Sequence, residues 1–121
     1  MIRGVHTMFY SAEPEALRAF LRDTLGLPCT DVGEGWLIFD LPEADMGVHP
    51  SDDSGTHGGP AGTHHISFYC DDLEATIDDL RGRGVQFDGD VEDAGWGRVT
   101  HFLLPGAGRA QLYQPHYQKG G

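Results

Sequence analysis

Two stretches of the chain repeat one another. HTMFYSAEPEALRAFLR (6–22) aligns without a gap on HISFYCDDLEATIDDLR (65–81). Seven of the 17 positions are identical: His6/His65, Phe9/Phe68, Tyr10/Tyr69, Glu15/Glu74, Ala16/Ala75, Leu21/Leu80 and Arg22/Arg81. Chance supplies about one identity in such a window. The copies stand 59 residues apart in a chain of 121, so the repeat implies duplication of a unit of about 60 residues. A unit that small buries too little surface to stand comfortably alone, so two copies must share a core, within one chain or between chains.

Both copies carry the same local pattern. Ile66, Phe68 and Cys70 alternate with His65, Ser67 and Tyr69, as in a strand with one apolar and one amphipathic face. Val5, Thr7 and Phe9 alternate likewise with His6, Met8 and Tyr10. A helical stripe follows each strand. In the first copy it is Leu17, Phe20, Leu21 and Leu25, opened by Pro14 and closed by Gly26. In the second it is Leu73, Ile77 and Leu80, with Asp72 as N-cap and Gly84 past the end. Short β-like runs come next, at 29–32, 36–41 and 45–49 in the first copy and at 85–87, 98–104 and 110–114 in the second. Each copy therefore reads β-α-β-β-β, an α+β unit. The chain reads as one domain, 1–121, of two such modules (about 1–50 and 64–117). The linker between them, PSDDSGTHGGPAGT (50–63), is rich in Gly, Ser, Asp and Pro and has no periodicity.

Charge narrows the partners. Eight Lys and Arg against 19 Asp and Glu give a net charge of −11 and a pI near 4.7. Such a field repels phosphate, which counts against nucleic acid and against anionic membrane surfaces. The acidic coat is expected to keep the protein soluble, and it could also attract a cationic ligand. No stretch approaches the roughly 20 apolar residues of a membrane-spanning helix. MIRGVHTMFY lacks the apolar core of a secretory signal, so a cytoplasmic location is expected. Cys29 and Cys70 form no zinc-type pair, and Cys70 reads as a reduced, buried small hydrophobe. The Gly-rich 55–62 stretch has neither the strand-to-helix setting nor the lysine of a phosphate loop.

Several motifs together resemble the vicinal oxygen chelate superfamily, which includes glyoxalase I, bleomycin-resistance proteins and extradiol dioxygenases. They are HTMFY and EPEALRAFLRDTLGL in the first module, and HHISFYCDDLEAT, GWGRVTHFLLPG and AQLYQP in the second. The resemblance implies paired βαβββ modules whose curved mixed sheets surround an open cavity. In metal-dependent relatives, one residue from the first strand and one from the last strand of each module hold a divalent ion. Carried over, these are His6 and Asp45 in the first module and His65 and Gln111 in the second. His49 is a reserve ligand, and aligning the prolines instead sets Met46 opposite Gln111. His65 is preferred to His64 because the motif reads histidine-isoleucine.

Two imidazoles, a carboxylate and an amide oxygen would leave open positions on Ni, Co, Zn, Mn or Fe, suited to polarising a substrate oxygen. Relatives usually carry glutamate where Gln111 stands, and an amide cannot accept a proton as that carboxylate does. Tyr10, Trp36, Tyr69, Trp96 and Tyr113 are candidates, with His49, to line the cavity. The resemblance therefore implies a small glyoxalase-like metalloenzyme acting on a small molecule. Its rival is a metal-free protein that sequesters an antibiotic. The polar-aromatic strand face carrying His65, Ser67 and Tyr69 needs a roof from the same chain or another, and the resemblance implies the second, a homodimer, because short relatives typically pair that way.

Overall fold

The computed structural model describes residues 1, 6–41, 43–44, 46–48, 50–54 and 59–118. In chain order the elements are α1 (Pro14–Ala19), a π-helical turn (Phe20–Thr24), β1 (Cys29–Asp31), β2 (Leu37–Phe39), β3 (Ser67–Tyr69), α2 (Leu73–Gly82), β4 (Glu92–Asp93), β5 (Gly97–Leu104) and β6 (Gly108–Pro115). β1 and β2 form an antiparallel pair. The other four strands form a sheet ordered β3-β6-β5-β4, with β3 parallel to β6 and the remaining pairs antiparallel. The architecture is α+β: among the described residues there are two open sheets with helices and no closed barrel.

The core follows from the two helical stripes. Leu17 and Leu21 from the first helical segment and Leu73, Ile77 and Leu80 from α2 bury against Phe102, Leu104, Ala110 and Leu112 of the β5–β6 hairpin. Leu73 and Phe102 are almost fully enclosed, and each such side chain contributes about 1.5–3 kcal/mol through apolar burial. Both ends of α2 match the sequence reading. The Asp72 carboxylate accepts the Ala75 N–H at 3.1 Å. At the other end Gly84 turns left-handed (φ 88°), and the Val85 N–H reaches back to the Leu80 carbonyl.

The start of α1 is tied to the β5–β6 turn. Ser11 Oγ accepts the Glu13 N–H and donates to the Pro105 carbonyl, while the Ala12 N–H donates to the Gly106 carbonyl. Gly106 has φ 66°, and a Cβ there would sit 2.5 Å from the Glu13 nitrogen. Only glycine fits.

Three expected strands differ. Residues 6–10 lie in no strand, and Met8 and Tyr10 are exposed. Residues 46–48 of the expected 45–49 strand likewise lie in no strand, and Asp45 and His49 fall outside the described residues. At 85–87 pairing reduces to a Phe87–Phe102 bridge flanked by two hydrogen bonds, and a strand resumes only at β4. Alternation says which way side chains face, but a strand exists only where a neighbouring backbone takes its hydrogen bonds. Among the described residues no helix is long and apolar enough to cross a membrane.

Candidate functional site

The face of the four-stranded sheet turned away from the helices carries two adjacent rows of side chains. Strand register sets Tyr69, Tyr113 and Val99 side by side, and one step along sets Ser67, Gln111 and His101 side by side. The rows are about 6.8 Å apart, two residues of strand rise. The first row is aromatic. Tyr69 and Tyr113 have ring centres 6.1 Å apart, and Trp96, at the turn before β5, sets its ring edge-on against Tyr113 at 5.2 Å. Tyr113 is buried, whereas Trp96 remains 45% exposed and offers a free apolar surface. The Tyr113 and Tyr117 hydroxyls are 3.4 Å apart. Beside this row a groove of about 320 Å³ is lined by Tyr69, Cys70, Asp71, Gln114, Pro115 and Tyr117, among others.

The second row is polar. Gln111 Nε2 donates to Ser67 Oγ at 3.0 Å, which turns the amide carbonyl oxygen toward other partners. His101, directly across from Gln111, is half-buried. Burial, chiefly, together with the nearby Arg109 and His65 charges, pushes its pKa below the ordinary imidazole value, against the opposing pull of Asp88 and Glu92. His65 lies two residues before Ser67 and is exposed. Arg109, on the same face, pairs with Asp88 at 3.3 Å.

Gln111, Tyr69 and Tyr113 share one face of neighbouring strands, with Trp96 against Tyr113. His65 is exposed outside β3, two residues before the Ser67 that Gln111 bonds. His6 is exposed outside any strand. Tyr10 is exposed too, and Trp36, in the turn between β1 and β2, instead stacks beneath the Arg18 guanidinium at 4.6 Å. Asp45 and His49 lie outside the described residues.

Among the described residues no three His, Cys, Asp or Glu side chains converge as a metal site. Of the expected donors, His65 offers an imidazole and Gln111 a neutral amide already bonded to Ser67, a set too weak to hold a divalent ion by itself.

His101 stands on this face without having been a candidate from the sequence. Its signal was the hairpin: with Leu104 opposite Gly108 across a three-residue turn, counting back along both strands sets His101 against Gln111.

Cys29 and Cys70 are both free. Cys70 packs against the core, and burial raises its thiol pKa.

Residues 3–110 match the Glyoxalase/Bleomycin resistance protein/Dioxygenase superfamily. Among solved structures, the chain is similar to a member of that superfamily from Sphaerobacter thermophilus DSM 20745, at 27% identity and a TM-score of 0.59, covering 93% of this chain and 98% of that one. It also resembles an antibiotic-binding protein from Streptomyces sp. CB03234 (24% identity, TM-score 0.62, covering 95% and 99%). A lactoylglutathione lyase from Agrobacterium tumefaciens shares the fold (17% identity, TM-score 0.55, covering 93% and 96%). The comparison with curated proteins gave no significant match.

Proposed function

The chain belongs to the Glyoxalase/Bleomycin resistance protein/Dioxygenase superfamily, and from that premise we propose that it binds a small planar organic molecule on the sheet face opposite the helices. This fold serves both binding proteins and enzymes, so function must be argued from the site. One observation carries the reading: an aromatic row, Tyr69–Tyr113 with Trp96, runs parallel to a polar row, Ser67–Gln111–His101. An apolar ring lying against Trp96 and Tyr69 gains dispersion and loses water contact, and ring geometry restricts its orientation. The polar row then stands one bicyclic ring's length away, where it can fix the ligand's polar end. This combination of apolar wall and few placed polar groups is what small-molecule sites require. The test is equilibrium dialysis with 2-methoxynaphthalene. Wild-type protein binds it, and Trp96→Ala weakens binding about tenfold. Absence of binding to the wild type would sink the reading.

A second reading, a small metal-dependent enzyme activating a substrate oxygen for lyase, isomerase or transferase chemistry, is supported by the family and by His65 standing two residues before Ser67, whose partner across the strands is Gln111. A bound Ni, Co, Zn, Mn or Fe ion would supply Lewis-acid polarisation. Within it, His65 would offer an imidazole nitrogen and Gln111 its carbonyl oxygen, while Ser67 orients the amide. Elemental analysis of untagged protein separates the two. Near-stoichiometric metal supports the enzyme, and metal-free protein that binds the planar probe supports sequestration. In either reading the working unit we propose is a homodimer, supported by the exposed apolar side chains Val32, Trp36 and Ile38 on β2 and the turn before it.

A further inference from the structure

We infer that His101 is a specificity-determining residue of this face, taking with Gln111 the hydroxyl group of a planar hydroxy-aromatic ligand. The inference rests on the binding proposed above and adds the ligand's chemical class. Its basis is position. His101 faces Gln111 across the β5–β6 pair, with Val99 between it and the aromatic end of the same strand face. Val99 is buried and His101 half-buried, so the imidazole stands at the rim of the apolar wall rather than in open solvent.

A ring placed against Trp96 and Tyr69 ends where the second row begins, about 6.8 Å along the strands. An oxygen carried on the far edge of that ring therefore meets two side chains at once. Gln111 Nε2 gives one of its two N–H donors to Ser67 Oγ, which leaves the second for a ligand oxygen. The ligand O–H donates to the unprotonated ring nitrogen of His101, and its lone pairs accept that second Gln111 N–H. A methyl ether at the same place still accepts from Gln111 but cannot donate, and strands the His101 nitrogen without a partner. Sites built to bond a hydroxyl discriminate against analogues lacking it because their polar groups are then left unpaired.

The experiment compares 2-naphthol with 2-methoxynaphthalene by equilibrium dialysis on wild type, His101→Leu and His101→Gln, at one pH near neutrality. Wild type is expected to prefer the naphthol about five- to tenfold, the effect of one satisfied hydrogen bond. His101→Leu is expected to reduce that preference to about twofold or less while keeping affinity for the ether. His101→Gln, which restores a donor and an acceptor, is expected to recover most of it. Equal binding of the two probes by wild type, or an undiminished preference in His101→Leu, overturns the role of His101 and leaves the aromatic-face reading standing. If neither probe binds wild type, the reading and the inference fall together. Should the leucine variant not fold, the wild-type comparison and His101→Gln still decide.

Discussion

Gln114 on β6 holds the first turn of α2: its Oε1 accepts the Leu73 N–H at 2.8 Å. The first N–H groups of a helix have no partner within it, and here a sheet side chain supplies one beside the Asp72 cap. Helix and sheet are thereby locked in one register, with Leu73 fully buried beneath the bond. Gln114→Ala should cost about 1–2 kcal/mol and Asp72→Ala about 1 kcal/mol. Thermal unfolding should register each as a fall of several degrees. A Gln114→Ala protein as stable as wild type would show that water replaces the bond without loss.

Gly106 carries a different constraint, since its conformation and its surroundings both exclude a side chain. Gly106→Ala would place a methyl group against the Glu13 nitrogen and Ser11 Oγ at a left-handed backbone position. The expected loss is about 2–4 kcal/mol. Gly108 also has positive φ, but nothing lies within 4 Å of its Cβ position. Gly108→Ala should therefore cost less, about 1–2 kcal/mol. Denaturant titration of the two variants separates clash from backbone strain, and equal losses would remove the clash argument.

These two contacts also mark where the sequence could be read and where it could not. The stripe Leu73, Ile77 and Leu80, the Asp72 cap and the alternation of Phe68 with Ser67 and Tyr69 are local signals, and each appears in the fold as spaced. The tie of the Gly106 carbonyl to the Ala12 N–H spans most of the chain, and no local pattern encodes it. The π-helical turn, where the Leu25 N–H skips to the Phe20 carbonyl, depends on packing rather than on propensity. His65 and Gln111 could be named from a family motif. His101 required the register of a hairpin whose turn, PGAG, was visible in the sequence. The misplaced expectation at 6–10 has the same root, because repetition of a strand-like pattern does not supply a strand's partner.

Acid should loosen the α2–β5 contact. Arg98 on β5 makes a two-pronged ion pair with Glu74 on α2, and that bonding holds the Glu74 carboxyl below its ordinary pKa. A carboxyl whose folded pKa is depressed adds stability that is complete above its unfolded value, about 4.5, and is lost as pH falls through the lower folded value. Both groups are solvent-exposed, so the effect is small and salt-sensitive. Between pH 5 and about 3, Tm of Glu74→Gln should fall less steeply than that of wild type. Parallel curves would remove Glu74 from the acid response.

The last expectation concerns the edge of the sheet. β3 pairs with β6 on one side, and it is the outermost strand of the order β3-β6-β5-β4. An outer strand presents backbone donors and acceptors that another strand can take up. Residues 6–10 carry a strand-like alternation and lie in no strand here, so they suit that role for this chain or for a second copy. If the second copy supplies them, His6 of one chain approaches His65 of the other, and two-fold symmetry creates two equivalent sites. Sedimentation should then give a dimer. With metal supplied, His6→Ala and His65→Ala should each lose most bound divalent ion, and Gln111→Glu should tighten it, because a carboxylate is the stronger ligand. Mixing the two alanine variants should restore part of the lost binding, since a mixed dimer regains one site with both histidines. A monomer by sedimentation, or no recovery after verified subunit exchange, would rule out a site shared between chains.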